Sequence, residues 1–201
     1  MHWAERIADE LIAENPGKEE FLCAAGTSPS GSVHIGNFRD VATPFFVVKA
    51  LRARGKKARL MLSWDDFDRL RKNIAAIDPG FDKYLGMPYS MIPDPNGKRE
   101  SFADYYEKEY EKSLEELGID IEYRYQGKEY RSGRYVDGII KAMHSRKEIY
   151  DILMKYKTQD SDEGERENYY PLSVYCSDCV KDFTEILSYN GRHNLQMQSL
   201  R

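Results

Sequence analysis

The densest chemistry in this sequence lies in one nine-residue loop, Pro29-Ser30-Gly31-Ser32-Val33-His34-Ile35-Gly36-Asn37. It follows a short apolar run and opens an amphipathic stretch, so backbone N–H groups and the positive end of a helix point at whatever occupies the loop. Gly31 lets the loop turn tightly, and Gly36 removes a side chain where a nucleoside could press against the helix. His34 and Asn37 fall one turn apart, on one face of the first helical turn, and both can donate to phosphate oxygens. A glycine-rich strand-to-helix loop with polar capping residues would look similar. The full nonapeptide favours a nucleotide site comprising Pro29, Ser30, Gly31, His34, Gly36 and Asn37.

Two further groups carry chemistry. Asp65, Asp66 and Asp68 close the next strand and could pair with a cationic ligand; the structural alternative is that they cap the following segment and bind Arg69 or Arg71. Cys176 and Cys179 have the spacing of half a zinc ribbon. A second cysteine pair is missing, His193 is a conceivable third ligand, and Cys23 belongs to a core strand. Zinc is therefore a possibility set against unpaired thiols. Lys49, Arg52, Arg54, Lys56 and Lys57 form a basic run, but at the sheet edge opposite the loop, where a solvated face is the expected role.

The elements that position these groups follow from pattern. Trp3, Ile7, Leu11 and Ile12 have helical spacing up to Asn15-Pro16-Gly17. Residues 21–25 read as a strand, 35–52 as a helix containing Pro44, and 58–64 as a second strand. Strand, loop, helix, strand is a βαβ unit with parallel strands and a right-handed crossover. It puts the His34 loop and Asp65 on the same sheet edge. A charged helix is expected over 102–117, a strand over 119–125, and two helices over 131–157 with Ile139, Ile140, Met143, Ile149, Ile152 and Leu153 inward. Residues 169–175 and 183–189 read as short strands flanking the cysteine pair, and the tail from Gly191 to Arg201 does not read as its partner. Two units are expected, 1–168 and 169–201.

Composition sets bounds. The 201 residues are 41% hydrophobic and 32% charged, values of a folded globular chain. No apolar run approaches the ~20 residues of a membrane span, and Met1-His2-Trp3-Ala4 does not begin a signal peptide. A cytoplasmic location is the default. The net charge of −4 argues against nucleic-acid affinity spread over the whole surface while leaving room for a local basic face.

The nonapeptide is similar to the "HIGH" signature of class I aminoacyl-tRNA synthetases, with Asn37 replacing the final histidine. Together with Trp64-Asp65-Asp66-Phe67-Asp68-Arg69-Leu70-Arg71-Lys72 it resembles the class I lysyl-tRNA synthetases. His2-Trp3-Ala4, Tyr84-Leu85-Gly86-Met87-Pro88 and Pro93-Asp94-Pro95 fit the same family, and the resemblance covers residues 2–189. It implies an α/β, Rossmann-like nucleotide-binding fold with an incomplete parallel sheet, a helical insertion and a partial zinc-ribbon-like hairpin. It also implies ATP with magnesium, lysine and tRNA(Lys) as substrates, with lysyl-adenylate formed before transfer to the tRNA 3′ end. His34 and Asn37 would be the catalytic residues on the ATP phosphates; Gly26, Ser28, Asp65 and Asp66 would hold lysine. A KMSKS-like loop and later strands are absent, so the expectation is a truncated chain that is inactive alone and has an exposed edge prone to self-association. A non-catalytic nucleotide- or amino-acid-binding relative is the alternative.

Overall fold

In the computed structural model, residues 2–72, 79–157, 164–191 and 195–200 are described. The chain opens with α1 (Trp3–Glu14) and β1 (Glu20–Thr27), then α2 (Ile35–Ala53) and β2 (Lys57–Trp64). After two short 3-10 turns come α3 (Phe102–Glu116), β3 (Glu122–Tyr125), α4 (Gln126–Arg131), α5 (Val136–His144) and α6 (Arg146–Met154). A hairpin of β4 (Thr184–Tyr189) and β5 (Leu195–Ser199) follows.

β1, β2 and β3 form a parallel sheet in that order, with Thr27 opposite Trp64 and Trp64 opposite Tyr125. All three strands therefore end together. Alternation decides what each face does. Ala58, Leu60, Leu62 and Trp64 are buried with Phe21, Val41, Val48 and Leu51 in the main core, which also takes Ala4 and Ala8 of α1 and Leu114 of α3. The other face is only partly covered: Met61 is buried, but Leu22 is 45% exposed, and Arg59 pairs with Glu20 at 2.9 Å and Glu122 at 2.7 Å. β1 is an outer strand of the sheet.

Both long N-terminal helices start with the same device. His2 accepts the Ala4 N–H on Nδ1 while its own N–H donates to Glu5, and His34 does the same with Gly36 and Asn37. Each is a reciprocal cap that satisfies otherwise orphaned donors. At the far end of α2 the basic run is spent on structure. Arg54 pairs with Asp9, Arg52 donates to the Ala58 carbonyl, and Lys56 donates to the Lys18 carbonyl.

Three expectations need correction. β3 begins at Glu122 rather than Ile119, and at Tyr125 the chain turns straight into α4, a helix not expected from the sequence; the two helices expected over 131–157 are α5 and α6. Ile152 and Leu153 are 55% and 52% exposed; α6 buries Tyr150 instead. Residues 169–175 form no strand ladder, and β4 pairs antiparallel with Leu195–Ser199, the tail that did not read as a strand. The polar alternation Leu-Gln-Met-Gln-Ser is that of a hairpin with a largely solvated surface.

Candidate functional site

The loop after β1 and the loop after β2 meet at the strand tips. The Asp65 N–H donates to the Thr27 carbonyl at 2.9 Å, extending the ladder one residue past β2, and Ser28 Oγ donates to Asp68 Oδ2 at 3.4 Å. The His34 loop and the aspartates thus share one edge, where parallel sheets bind ligands.

His34 is the N-cap of α2, in extended backbone, and its Nδ1 accepts the Gly36 N–H at 3.1 Å. With Nδ1 used as acceptor, the proton of the neutral ring sits on Nε2, which faces outward as a donor. Asn37 Oδ1 accepts the His34 N–H at 3.3 Å, leaving its amide NH₂ as the free donor. Gly36 has a second use that its position in the sequence did not suggest. A Cβ there would lie 2.8 Å from His34 Cε1, so the missing side chain is where the histidine ring folds back. Pro29 is fully buried and shapes the loop, while Ser30 is exposed and Gly31 half-buried. Gly26 is exposed, and a Cβ on it would meet nothing closer than the Ser63 carbonyl at 3.8 Å.

The aspartates divide their roles. Asp66 is 5% exposed; its Oδ1 accepts the buried Gly127 N–H at 2.7 Å, and its carbonyl accepts the Ser90 N–H at 2.9 Å. It fastens the start of α4 to the end of β2, a structural role played toward a segment 61 positions on rather than the cap of the following segment. Burial raises its pKa against the pull of those backbone donors. Asp65 and Asp68 instead line a cavity of about 660 Å³ with Phe67, Gln126, Tyr130, Tyr135 and Tyr175. The Asp65 carboxyl is raised above its ordinary range, first by burial and then by repulsion from Asp68 and Asp66. Neither Arg69 nor Arg71 is the partner that the sequence suggested for them. Arg69 pairs with Asp182 at 2.6 Å, anchoring the cysteine-bearing segment to the loop after β2.

The cavity wall was not legible from any motif. Gln126 Nε2 donates to Ser63 Oγ at 2.6 Å, and Gln126 Oε1 accepts the Tyr135 hydroxyl at 2.7 Å. Tyr175 donates to the Phe67 carbonyl at 2.6 Å, and the Phe67 ring stacks on Tyr130 at 5.2 Å. The interleaved tyrosines of residues 123–135 were the available signal.

Cys176 and Cys179 lie in a tight turn in which the Cys176 N–H donates to the Lys181 carbonyl at 2.8 Å and the Val180 N–H to the Cys176 carbonyl at 2.9 Å. Val180 takes φ 59°, a costly conformation for a β-branched residue. Backbone N–H groups of Cys179 and Asp178 and the Cys179 thiol hold the Cys176 thiol below its ordinary range. Among the described residues no group of three or more His, Cys, Asp or Glu could hold a metal ion, and His193 lies outside them. Two thiols alone do not fit a tetrahedral zinc site, and no chemistry here is routed through one. No helix among the described residues is long and apolar enough to cross a membrane.

Comparison with known proteins finds relatives along nearly the whole chain. The family model described as tRNA synthetases class I (K) matches residues 1–199. The chain is similar to the lysine–tRNA ligase of Treponema pallidum, 39% identical over 199 residues that make up 98% of this chain and 37% of the relative. The lysine–tRNA ligase of Pyrococcus horikoshii is 38% identical over 191 residues, 95% of this chain and 36% of the relative. That of Streptomyces coelicolor is 34% identical over 223 residues, 94% of this chain and 38% of the relative. The chain spans a little over a third of the length of these curated relatives.

Proposed function

The chain belongs to the class I (K) tRNA synthetase family, and from that premise we propose that it forms the ATP- and lysine-binding part of an enzyme that charges tRNA(Lys). The observation that carries this reading is the junction of the His34 loop with Asp65 and Asp68 at one sheet edge, tied by the Ser28–Asp68 hydrogen bond.

In this reading the lysine carboxylate attacks the ATP α-phosphate, pyrophosphate leaves, and the tRNA 3′ end then takes the lysyl group. The attacking carboxylate is already ionised, so the protein has to position the two substrates and stabilise charge rather than move a proton. Nε2–H of His34 and the amide of Asn37 donate to phosphate oxygens. The α2 N-terminus adds its positive end, and Ser30 and Gly31 let the triphosphate approach the backbone. Gly26 leaves room on the sheet face for the amino acid, and Ser28 stands beside it. The ammonium of the lysine side chain pairs with Asp65, with Asp68 adding to the field. Asp66 supports this pocket from behind through Gly127. Magnesium would accompany ATP as part of that substrate. A class I synthetase works on tRNA in the cytoplasm, which is where we place this one.

The test is lysine-dependent ATP–pyrophosphate exchange by the complete protein. Exchange supported by lysine and slowed roughly tenfold or more by His34→Ala is the expected result. Exchange driven by another amino acid would overturn the lysine assignment, and an unchanged His34→Ala rate would remove that residue from the site.

A further inference from the structure

On the sheet face that the main core leaves partly uncovered, register places Gly26, Ser63 and Arg124 side by side, each one position before its strand tip. Gly26 is exposed, and a Cβ on it would meet nothing closer than the Ser63 carbonyl at 3.8 Å, so the space beside Ser63 is open. Ser63 Oγ accepts the Gln126 Nε2–H at 2.6 Å, and Gln126 Oε1 is fixed in turn by the Tyr135 hydroxyl at 2.7 Å. That direction leaves Ser63 its own O–H as a donor, and nothing among the described residues accepts it.

Arg124 completes the row. It is half-buried, and its guanidinium has no ion pair or hydrogen bond among the described residues. Glu122, two residues before it on the same face, is taken by Arg59, whose Nη1 reaches both carboxylate oxygens at 2.7 Å. The charges around Arg59 are therefore compensated, whereas the last row holds a free cation and a free hydroxyl donor beside an empty position. Donors of that kind suit a carboxylate.

We infer that this row holds the α-carboxylate of the bound amino acid, with Ser63 and Arg124 as donors and Gln126 as the residue that orients the Ser63 hydroxyl. The inference rests on the proposed function and fixes the direction in which lysine lies. Asp65 follows Ser63 by two residues on the same face, ~6.6–6.8 Å along the strand. The four-carbon stem of lysine covers that span, with its ammonium at Asp65. Charge agrees with this direction. Arg124 offsets the repulsion that Asp65 and Asp68 would exert on a carboxylate. With one carboxyl oxygen held, the other stays free to attack, and the ATP α-phosphate comes in over Gly26. The held oxygen becomes the carbonyl of the adenylate and then the oxyanion formed when the tRNA hydroxyl attacks, so the same donors serve both steps.

The experiment is titration calorimetry of the complete protein with lysine and with cadaverine, which is lysine without its carboxyl group, beside lysine-dependent exchange. Ser63→Ala and Arg124→Ala should each weaken lysine binding about tenfold and leave cadaverine binding at the wild-type level. Asp65→Asn should weaken both ligands. Ser63→Thr and Arg124→Lys keep a donor and should recover most of the lysine affinity. Gln126→Ala should weaken lysine on its own yet add little to Ser63→Ala, because it acts through that hydroxyl; a general structural loss would add. In exchange, the KM for lysine should rise more than the KM for ATP. Unchanged cadaverine binding also controls for folding. Wild-type lysine affinity in both Ser63→Ala and Arg124→Ala, an equal loss of cadaverine affinity, or a rise confined to the KM for ATP would overturn the inference. If lysine supports exchange and those two variants bind it normally, the row alone is rejected. If a different amino acid supports exchange, the lysine reading falls, and the row is judged by the affinity of that amino acid in the same variants.

Discussion

Asp66 Oδ1 accepts the Gly127 N–H at 2.7 Å, and Gly127 is the residue whose missing side chain allows it. A Cβ at position 127 would lie 2.9 Å from Asp66 Oδ2 and 3.0 Å from Ser90 Oγ. Gly127→Ala therefore has to push the carboxylate away from a buried donor. Asp66→Ala leaves that donor unsatisfied outright, a loss of about 1.5–3 kcal/mol for a charged hydrogen bond. Urea unfolding should show both variants destabilised and Asp66→Asn, which keeps an acceptor oxygen, affected least. An unfolding midpoint for Asp66→Ala equal to wild type would remove this carboxylate from the framework.

Gly36 and His34 are coupled in the same manner at the nucleotide loop. Because a Cβ at position 36 would sit 2.8 Å from His34 Cε1, Gly36→Ala should swing the ring off its cap. The helix then loses about 0.5–2 kcal/mol of capping. In the complete protein, the exchange rate of Gly36→Ala should fall about as far as that of His34→Ala, and the double variant should be little worse than either. Additive losses in that double-mutant cycle would show that the two residues act separately.

Glu107 of α3 is buried, its Oε1 has no hydrogen-bond partner among the described residues, and its pKa is pushed up from 4.5 to about 8. Burial is the main cause, followed by Asp66, Glu111 and Asp104, against the weaker pull of Lys108. The folded state therefore keeps a proton that the unfolded chain releases. Its contribution to stability is whole below pH 4.5, declines as pH rises, and levels off above about 8. The slope within that window reaches at most about 1.4 kcal/mol per pH unit. Glu107→Gln should flatten the curve and raise stability at pH 8 relative to pH 5, as read from urea midpoints at the two values. An unchanged pH profile would mean that the carboxyl finds a compensating partner.

Legibility followed local signals. The βαβ unit was readable because β1, α2 and β2 each carry their own periodicity, and because the Pro29–Asn37 loop needs its residues in that order. The shared edge of His34 and Asp65 then followed from topology alone. What could not be read depends on pairing across distance. Asp66 looks like Asp65 in the sequence, and only the approach of Gly127, 61 positions on, assigns it to the framework. Arg69 seemed destined for a neighbouring aspartate, yet Asp182 of the cysteine-bearing segment reaches it first. Leu195–Ser199 escaped because a solvated hairpin strand needs no apolar run.

The last expectation concerns Asp65, whose carboxyl is raised by burial and by two neighbouring aspartates, with no cation paired to it among the described residues. An ammonium group entering the cavity would relieve that repulsion, but only the ionised carboxylate can hold it. Lysine binding should therefore weaken as pH falls through the raised range of Asp65, above the ordinary carboxylate value of 3.8. In steady-state exchange by the complete protein, the KM for lysine should rise on the acid side while the KM for ATP changes less. Asp65→Asn should raise the lysine KM by roughly tenfold to a hundredfold at neutral pH, as expected for losing one charge-assisted contact of 1.5–3 kcal/mol. It should also remove the acid limb from the lysine profile. If Asp65→Asn instead raised the KM for ATP and spared that for lysine, the carboxylate would belong to the nucleotide side of the site, and the ammonium would have to be held elsewhere.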